Sequence, residues 1–196
     1  MTTIAFIRHG TTSWNLERRA QGQTDIPLNE DGILQAKALS RRFDGEKWDA
    51  IYTSDLKRAK RTAAAVSEIL DLPVIEDKRL REVSFGLMEG TIEEERVKQW
   101  GENWKDLDLE IETDEAVQLR VETFIKEIVE QHPSGNVIVV SHGAFLNDLF
   151  GILLKQEYKK GRLENTSVTI LEQKDKWELK LFNCCKHLSK QGEQKS

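Results

Sequence analysis

Two histidines in this sequence stand at the ends of apolar runs, and an arginine accompanies the first of them. Arg8 and His9 follow the run 3–7, and His142 follows the run 136–140 after one serine. A neutral imidazole can act as a nucleophile toward phosphorus, and an arginine fork matches the oxygens of a phosphate group. A lone histidine is more often a surface or core residue, but two that share this pattern indicate chemistry on an anion.

A third segment adds a cluster of cations just after another predicted strand. Ser54 and Asp55 are expected to cap a helix there, and the N-terminus of a helix favours anions. Arg58 differs from its basic neighbours because small residues follow it, so its side chain can lie at the strand end instead of in water. The spacing leaves open a plain solvated basic face, formed by Lys57, Arg58, Lys60 and Arg61.

Two carboxylates complete the set of groups that phosphoryl transfer needs. Glu82 and Glu89 both lie in the irregular segment 80–90 with apolar neighbours, and Val83 and Phe85 follow Glu82 closely. Apolar neighbours favour the protonated form of a carboxyl group, which can then give a proton to a leaving alcohol. The hydrolysis of phosphate monoesters is among the slowest uncatalysed reactions, so an enzyme that catalyses it needs a nucleophile, cations and an acid in one site. The presence of all three in this sequence predicts phosphoryl transfer.

Alternating strands and helices are what would bring these side chains together. The pattern predicts strands at 3–7, 49–53, 73–75, 136–140, 167–171 and 178–182. It predicts helices at 29–43, 54–70, 113–131 and 143–154. We therefore expect an α/β fold, a three-layer α/β/α sandwich with a mostly parallel central sheet. In such sheets, ligands lie at the loops after the carboxyl ends of the strands.

The same periodicity predicts details of the helix ends and faces. Asn29 is expected to be the N-cap of the first long helix. Ile69 and Ala116 are expected on the buried faces of their helices. The segment 77–112 is irregular and is expected to hold short helices, and a polar tail begins at Lys186.

The composition narrows the class of protein. At 196 residues the chain fits one domain, and with a net charge of −5 we expect neither nucleic acid nor a membrane as a partner. Its apolar runs are far shorter than the ~20 residues of a membrane-spanning helix, and no basic leader opens it. Cys184 and Cys185, its two cysteines, are adjacent and cannot form a zinc site alone. They are expected to be reduced thiols, which indicates the cytoplasm.

Five ordered segments of the chain form one larger pattern. In this order, and over nearly the whole chain, they resemble the histidine phosphatase superfamily, the phosphoglycerate-mutase-like proteins, and within it the broad-specificity phosphatase branch. The resemblance implies a phosphoglycerate-mutase-like fold in a single domain, 1–196, with a short cap insertion at about 85–112. The segments are Arg8-His9-Gly10 with Trp14-Asn15; Gln21-Gly22, Asp25-Ile26-Pro27-Leu28, Gly32 and Gln35-Ala36; Ser54, Leu56, Arg58-Ala59 and Thr62-Ala63; Leu80-Arg81-Glu82, Gly86 and Glu89-Gly90; and Ser141-His142-Gly143.

The resemblance also implies a role for each site residue. His9 would be the nucleophile that becomes phosphorylated, and Glu82 would be the proton donor that later takes a proton from water. No metal and no cofactor are expected, because arginine and histidine side chains take the place of a metal. The remaining residues are those that bind the phosphoryl oxygens, Arg8, Arg58 and His142, and those that line the phosphate and substrate pocket, Asn15, Gln21, Gly22 and Gly143.

Two positions depart from the family's usual pattern. Thr11 stands where a glutamate or a similar polar residue usually follows Arg-His-Gly, and Asn29 stands where a threonine usually follows Pro-Leu. Both are expected at loop or capping positions, where Thr and Asn can still form hydrogen bonds with the backbone. The departures therefore bear on loop detail more than on the chemistry.

The family contains both mutases and phosphatases, so the reaction depends on other features. The insertion between Glu82 and His142 is short, whereas a mutase needs a longer cap to keep water from its intermediate. The residues 83–86 also stand where mutases usually have a pattern that contains tyrosine. These features favour hydrolysis of a phosphomonoester. A cofactor-dependent phosphoglycerate mutase and a non-catalytic phospho-ligand-binding scaffold are the alternatives.

The cap also bears on the substrate, which is expected to be a small phosphorylated metabolite. Trp100 and Trp104 lie among acidic residues in the segment 91–112. One interpretation is a solvated acidic face with the tryptophans packed on the core, and the other is an apolar pocket with an acidic rim. Phe145, one turn after His142, is expected to line the same pocket. Aryl or uncharged alkyl monophosphates would then be preferred, and the oligomeric state is left open.

Overall fold

Six strands form one sheet within residues 1–155 and 158–188, the parts of the chain that the computed structural model describes. The strands are β1 (Thr2–Arg8), β2 (Ala50–Thr53), β3 (Val74–Glu76), β4 (Asn136–Ser141), β5 (Val168–Gln173) and β6 (Trp177–Cys184). Their order across the sheet is β3-β2-β4-β1-β5-β6. Each lies where the sequence predicts a strand, with small shifts at the ends.

The directions of the strands decide which strand ends meet. β1 pairs in parallel with β4, β4 with β2, and β2 with β3. β5 runs antiparallel to β1, and β6 runs antiparallel to β5. The carboxyl ends of β1, β2, β3 and β4 therefore meet at one edge of the sheet, and the predicted α/β fold with a mostly parallel sheet is confirmed.

Alternation along the central strands gives the sheet two apolar faces. Ile4 and Phe6 of β1 belong to the core on one face, and Ala5 and Ile7 belong to the core on the other. β4 alternates in the same way, since successive side chains of a strand point to opposite faces. Burial on both faces explains why these strands are continuous apolar runs in the sequence.

Helices cover both faces of the sheet. They are α1 (Ser13–Leu16), α2 (Glu30–Arg42), α3 (Lys57–Leu70), α4 (Glu93–Trp100), α5 (Asp114–Gln131) and α6 (Gly143–Leu154). α2 and α3 pack on the face that holds Ala5 and Ile7. α5 and α6 pack on the face that holds Ile4 and Phe6, which completes the three layers expected from the sequence.

The two positions that depart from the family pattern both shape the chain after β1. Asn29 is the N-cap of α2, and its side chain accepts a hydrogen bond from the Gly32 amide at 2.8 Å. The amide and the hydroxyl of Thr11 both donate to Oε1 of Gln35 at 2.9 Å. The capping role predicted for Asn29 is confirmed, whereas the hydroxyl of Thr11 binds a side chain instead of the backbone.

The cap predicted for α3 is wrong. The helix begins at Lys57, and Leu56 precedes it without a side-chain hydrogen bond to the helix. The hydroxyl of Ser54 accepts from the Leu56 amide at 3.3 Å, and the carboxylate of Asp55 accepts two hydrogen bonds from Arg81 at 2.7 and 2.6 Å. Arg81, which is distant in the chain, thus binds the Asp55 carboxylate that was predicted to cap α3.

Two side chains expected on buried helix faces are exposed. Ile69 of α3 is 43% exposed, and Ala116 of α5 is exposed as well. Each lies in a terminal turn of its helix, and such a turn has fewer neighbours to cover it. The other apolar residues predicted on the buried faces of α3 and α5 are buried or half-buried.

Short elements occupy the chain between β3 and α5, as predicted for the segment 77–112. Besides α4, they are single turns of 3-10 helix at 78–80, 86–88 and 104–106. Two hydrogen bonds join Ser84 and Glu112, the residues at the two ends of the stretch 84–112. The Glu112 amide donates to the Ser84 carbonyl at 2.9 Å, and the Ser84 amide donates to the Glu112 carboxylate at 3.1 Å. The division into one domain with a cap at about 85–112 stays a prediction.

The end of the chain is described as far as residue 188. The predicted polar tail begins with one 3-10 turn, Lys186–Leu188, and its remainder, 189–196, lies outside the described residues. Cys184 and Cys185 at the end of β6 are free thiols. Within the described part of the chain, no helix is both long and apolar enough to cross a membrane.

Candidate active site

The carboxyl ends of β1 and β4 bring two histidines together. Arg8 and Ser141 are opposite each other in the parallel register, and the amide of His9 donates to the Ser141 carbonyl at 2.9 Å. The centroids of the His9 and His142 rings lie 5.1 Å apart, and both residues are buried. The meeting of these histidines at one sheet edge, predicted from their positions after the strands, is confirmed.

Hydrogen bonding fixes the tautomer of the His9 ring. Nδ1 lies 2.7 Å from the Gly10 carbonyl oxygen, which can only accept, so Nδ1 carries the hydrogen. Burial lowers the pKa of His9 well below its usual value, and the charges of Arg58 and Arg8 lower it further. The neutral ring therefore has its unprotonated nitrogen at Nε2, the form that a nucleophile needs.

The guanidinium of Arg58 is fully buried and held by three hydrogen bonds. Nη1 donates to the Thr24 carbonyl at 2.8 Å, Nη2 to the Gly22 carbonyl at 2.7 Å, and Nε to Nδ1 of His142 at 3.2 Å. Burial lowers the pKa of Arg58 to about 10, and nearby carboxylates, foremost Glu82, act in the opposite sense. Arg58 is therefore charged at neutral pH, and its interpretation as part of a solvated basic face is wrong.

His142 has a donor that no described residue uses. A guanidinium can only donate, so Nδ1 of His142 accepts from Arg58, and Nε2 carries the hydrogen of the neutral ring. Burial lowers the pKa of His142 well below its usual value, and the charge of Arg58 lowers it further. Nε2 is buried and has no hydrogen-bond partner among the described residues. Since an unpaired buried donor is costly, an oxygen of a ligand would be favourable there.

Arg8 supplies a second unpaired donor at the end of β1. Its Nε is buried and lacks a partner in the part of the chain that the structure describes. Its Nη1 donates to the Leu163 carbonyl, which anchors the side chain. A Cβ at Gly143 would stand 3.2 Å from Nε, so the glycine keeps the space beside this atom open. Because Gly143 directly follows His142, both unpaired donors lie in one neighbourhood suited to a phosphate group.

The carboxylate of Glu82 lies against the N-terminus of α6. It accepts hydrogen bonds from the amides of Val83, Ala144 and Phe145 at 3.0, 3.1 and 2.7 Å. The apolar surroundings predicted from Val83 and Phe85 are therefore wrong: the side chain is buried, but its oxygens meet amide donors. Amides at a helix N-terminus bind an anionic group well, so they fix the position of this carboxylate.

The residues expected to line the pocket shape the loop after β1. Oδ1 of Asn15 accepts from the Thr12 amide at 3.0 Å in a reciprocal cap of α1. Gln21 is buried, and its Oε1 accepts from the Thr12 hydroxyl at 3.0 Å. Gly22 has a φ of +50°, a conformation that favours glycine, and its carbonyl binds Arg58. Asn15 and Gln21 thus stabilise the loop, and Gly22 joins it to Arg58.

Two further residues hold the backbone around His9. The Thr62 hydroxyl accepts from the Gly10 amide at 3.0 Å and donates to the Arg58 carbonyl at 2.8 Å. The side chain of Asn165 donates to the His9 carbonyl at 2.9 Å from 156 positions away. The helical spacing after Arg58 marks Thr62 only as an inward residue. No local signal in the sequence marks Asn165, so sequence reasoning missed it.

Phe145 is part of the core instead of the pocket. Its side chain is fully buried between α5 and α6, and the guanidinium of Arg120 lies 4.8 Å from the centre of its ring. The prediction that it lines the substrate pocket is wrong, because the turn after His142 directs this ring toward α5.

The tryptophans of the predicted cap pack against cations. Trp104 is 7% exposed, and the Arg96 guanidinium and the Lys105 ammonium each lie 5.2 Å from its ring centre. Trp100, at the end of α4, is half-buried. These contacts favour a solvated charged surface over an apolar pocket, although Trp104 packs on basic residues of the cap instead of the main core.

The predicted lack of a metal stays a prediction. Within residues 1–155 and 158–188, no three His, Cys, Asp or Glu side chains form a group that could hold a metal ion. The side chains at the sheet edge are instead two guanidinium groups and two neutral histidines, with the Glu82 carboxylate against the start of α6. Such a donor set suits an anion more than a cation.

The family of the chain follows from a match that spans nearly all of it. Residues 4–185 match the histidine phosphatase superfamily (branch 1). The chain belongs to the histidine phosphatase superfamily. The match begins within β1 and extends past the end of β6, so it includes the segment 77–112 and both histidines of the site. It confirms the family and the class of enzyme predicted from the five ordered segments, a histidine phosphatase.

Relatives of similar length include proteins named as phosphatases and proteins named as phosphoglycerate mutases. The chain is 36% identical over 192 residues to the uncharacterized phosphatase PhoE of Bacillus subtilis (strain 168), over 96% of this chain and 98% of that protein. It is 34% identical over 204 residues to a metal-independent phosphoserine phosphatase of Arabidopsis thaliana, over 98% of this chain and 85% of that protein. A variant of the Entamoeba histolytica phosphoserine phosphatase, solved in complex with phosphoserine, superposes with a TM-score of 0.81 at 29% identity, over 96% of this chain and 100% of that chain. One neighbour in structure thus binds a phosphorylated small molecule.

Proposed function

We propose that this protein hydrolyses phosphomonoesters of small metabolites and that His9 carries the phosphoryl group during the reaction. One observation carries the proposal: a neutral, buried His9 lies beside two buried donors, Nε of Arg8 and Nε2 of His142, that no described residue uses. A tetrahedral anion bound there would satisfy both donors at once. The phosphatase relatives support the same assignment.

In the first step, the lone pair of Nε2 of His9 attacks phosphorus while the bond from phosphorus to the alcohol oxygen breaks. The alcohol oxygen takes a proton from the carboxyl group of Glu82, so no free alkoxide has to form. The products are a phosphohistidine and a neutral alcohol. Glu82 gives up its proton in this step and is left as a carboxylate, the form that the amides of Val83, Ala144 and Phe145 bind.

In the second step, a water molecule attacks phosphorus and the bond from phosphorus to Nε2 of His9 breaks. The electron pair of that bond returns to the ring, and the carboxylate of Glu82 takes the proton that the water gives up. Inorganic phosphate then leaves. The amides of Ala144 and Phe145 hold Glu82 in one place, so the same group can act as the acid and then as the base.

Two guanidinium groups, those of Arg8 and Arg58, would balance the charge of the phosphoryl group in both steps, and the neutral ring of His142 would donate a hydrogen bond to it from Nε2. The hydrogen bonds of Arg58 already fix it before substrate binds, so little reorganisation accompanies the reaction. The two guanidinium groups supply the charge that a metal would otherwise supply, and we therefore propose a metal-independent reaction without a cofactor. The proposed location is the cytoplasm, which the expected reduced state of Cys184 and Cys185 indicates. The wall of the pocket around them is formed by Asn15, Gln21, Gly22 and Gly143.

The size of the cap favours hydrolysis over transfer between two substrates. Between Ser84 and Glu112 the chain has one helix, α4, and two single 3-10 turns. A mutase has to keep water away from its phosphohistidine, and a short cap leaves water access to it. We therefore assign water as the acceptor of the phosphoryl group.

Turnover and chemical trapping together test this proposal. The wild type should release phosphate from para-nitrophenyl phosphate and from members of a phosphometabolite panel in the presence of a chelator. Labelled substrate should leave a base-stable, acid-labile label on His9. His9→Ala should lower turnover about 10⁴-fold or more and abolish the label, while the variant still folds. His132→Ala is the control, since this histidine precedes β4 at the opposite edge of the sheet.

The alternatives predict different results. An active His9→Ala variant would contradict the covalent mechanism. Isomerisation of phosphoglycerate that depends on 2,3-bisphosphoglycerate would support a mutase. Binding of phosphate without any turnover would support a scaffold.

A further inference from the structure

Glu89 accepts four hydrogen bonds from two segments of the chain. Its Oε1 accepts from the amides of Gln23 and Phe85 at 2.9 and 3.1 Å. Its Oε2 accepts from the amide and the hydroxyl of Thr24 at 2.9 and 2.6 Å. The apolar surroundings predicted for this carboxylate are therefore wrong, and both its oxygens are already used by donors of the protein.

The loop 22–24 that Glu89 binds is also the part of the chain that holds Arg58. The carbonyls of Gly22 and Thr24 accept from Nη2 and Nη1 of Arg58 at 2.7 and 2.8 Å. These two nitrogens belong to one planar group, so a shift of either carbonyl would turn the guanidinium. Thr24 binds Glu89 through its amide and Arg58 through its carbonyl, so the carboxylate fixes an acceptor of the guanidinium.

The middle residue of the loop reaches the candidate proton donor. Nε2 of Gln23 donates to the Glu82 carbonyl at 3.2 Å, while the amide of Gln23 donates to Glu89. One carboxylate is thus connected through the same short loop to both Arg58 and Glu82.

Glu89 and this loop are packed as one unit. A Cβ at Gly22 would overlap Oε1 of Glu89, and the φ of +50° at Gly22 disfavours other residues as well. No space is left between the loop and the carboxylate for a side chain. The loop therefore cannot move without moving the carboxylate, or the carboxylate without the loop.

We propose that Glu89 is a positioning residue: it clamps the loop 22–24 and so holds Arg58 in place beside the transferring phosphoryl group. This inference rests on the phosphatase reaction proposed above. Glu89 acts through the loop, because its oxygens bind the loop and its own turn and leave no lone pair directed at a substrate.

The charge of Glu89 has a second effect on the same guanidinium. Burial lowers the pKa of Arg58, and Glu89 is one of the carboxylates that oppose this lowering. A neutral residue at this position would therefore loosen the loop and also leave Arg58 with less compensation for its buried charge.

Glu89→Gln tests the clamp because an amide keeps the shape but has only one acceptor oxygen. Its NH₂ group must face an N–H of Gln23 or Thr24, which releases one side of the loop. We expect kcat/KM to fall about 10- to 100-fold and the inhibition constant of inorganic phosphate to rise about tenfold, since Arg58 is no longer fixed.

Glu95→Gln is the matched control. Glu95 is a cap carboxylate that also accepts a backbone amide, that of Ile92, and pairs with Arg19, but its bonds do not involve the loop 22–24. This variant should change neither value by more than about twofold, as is usual for an exposed pair.

Two readouts separate positioning from proton donation and from a loss of stability. The loss in Glu89→Gln should be equal for para-nitrophenyl phosphate and for an alkyl monophosphate, because protonation of the leaving group is not affected. In an Arg58→Lys background, Glu89→Gln should cost less than about threefold, since lysine lacks the fork that the loop positions. Thermal unfolding of each variant shows that it is folded.

Three results would overturn the inference. They are a Glu89→Gln variant as active as Glu95→Gln, a loss confined to alkyl substrates, and losses that multiply with those of Arg58→Lys.

If Glu89→Gln does not fold, Thr24→Val removes one of the four hydrogen bonds and should raise the phosphate inhibition constant about two- to fivefold; an unchanged constant would overturn the inference. If the wild type hydrolyses no monophosphate, the proposed function fails, and the binding of inorganic phosphate measured by calorimetry still decides the role of Glu89.

Discussion

The sheet edge that carries the histidines and the segment 85–112 above it are built in different ways. At the edge, His9, Arg58 and His142 are each at most 2% exposed. Their positions depend on strand register and on backbone carbonyls, which are rigid parts of the fold. Because these groups are out of water, their charges and dipoles interact strongly, and the edge can act on a phosphoryl group with little rearrangement.

The segment 85–112 is held by side chains near the surface in addition to backbone hydrogen bonds such as that from the Gly90 amide to the Ala20 carbonyl at 2.8 Å. Arg96 and Lys105 lie over Trp104, and Arg19 pairs with Glu95 at 2.8 Å, with both partners of that pair partly in water. An exposed ion pair contributes only about 0–1 kcal/mol to the free energy of unfolding. The Arg19–Glu95 pair can therefore change at little cost to the free energy of unfolding.

The contrast between the sheet edge and the segment 85–112 suggests a division of roles, with the reaction at the edge and the choice of substrate in the segment. In the proposed reaction, the edge would supply the nucleophile, the cations and the acid, and the segment 85–112 would meet the rest of the substrate. Glu89 is the exception, because it lies in the segment 85–112 but binds the loop that holds Arg58. Four predictions test whether the two regions are as separate as this comparison implies.

The largest effect is expected from a charge at the edge. Arg58→Ala should lower kcat/KM about 10²- to 10⁴-fold, because the phosphoryl charge loses a fixed guanidinium, and Arg8→Ala should act in the same way. Arg58→Lys should recover only part of the loss, since lysine lacks the fork. Arg61→Ala, at an exposed position of the same helix, is the control and should stay within about twofold of the wild type. Near-normal kinetics of Arg58→Ala would remove Arg58 from the site.

A somewhat smaller effect, selective for the leaving group, is expected at Glu82. Glu82→Gln should lower kcat/KM about 10²- to 10³-fold for an alkyl monophosphate, because the leaving alkoxide needs a proton. For para-nitrophenyl phosphate the loss should be less than about tenfold, since nitrophenolate leaves readily without one. Equal losses for the two substrates would contradict the assignment of Glu82 as the acid.

The segment 85–112 should respond differently. Trp104→Ala should change kcat/KM for para-nitrophenyl phosphate by less than about tenfold but reorder a panel of phosphometabolites. Loss of this ring releases Arg96 and Lys105 and so changes the surface that would contact the rest of a substrate, and such contacts discriminate by about 1–3 kcal/mol. Trp48→Ala is the control, because Trp48 packs edge-on against Phe43 at 5.5 Å on the α2 side. A uniform loss of at least a hundredfold over the whole panel would mean that the segment takes part in the chemistry.

The smallest effect is expected from acid pH, which should lower the free energy of unfolding through the two buried histidines of the sheet edge. Burial lowers the pKa of His9 and of His142 well below 6.5, so the unfolded chain binds protons there that the folded chain does not. The free energy of unfolding should therefore fall as the pH drops below 6.5, by up to about 1.4 kcal/mol per pH unit for each histidine. Urea unfolding between about pH 7 and 5 measures this dependence. In His142→Asn the free energy of unfolding should depend less steeply on pH than in the wild type. An equal slope in the two proteins would contradict the burial of a neutral His142 ring.

Local patterns in the chain were sufficient to predict the layers of the fold. Apolar runs with short flanking loops predict β1 and β4, because a strand buried on both faces needs apolar residues at successive positions. The helical period predicts α2, α3, α5 and α6, and the N-cap at Asn29 is confirmed by its bond to Gly32. Such signals depend only on nearby residues, so a strand, a helix or an N-cap can be predicted without knowing which elements pack against it.

Contacts between distant segments are the part that local patterns did not predict. Asp55 leaves the helix it was expected to cap because Arg81 lies beside it, and Phe145 turns into the core because α5 covers it. The amides around Glu82 come from Val83 and from the start of α6, which the expected apolar setting did not include. Each correction depends on where another element packs.

By itself, the sequence determined which residue types stand at the strand ends and to which family the chain belongs, because a motif in five ordered segments depends only on residue identity and order. The tertiary structure alone decided the partners of those residues: the loop 22–24 for Arg58, the amides of α6 for Glu82, and the same loop for Glu89. The physical reason is that hydrogen bonds and burial join residues far apart in the chain, as Asn165 joins His9 over 156 positions. Such contacts arise only when the layers pack, and no periodicity along the chain records them.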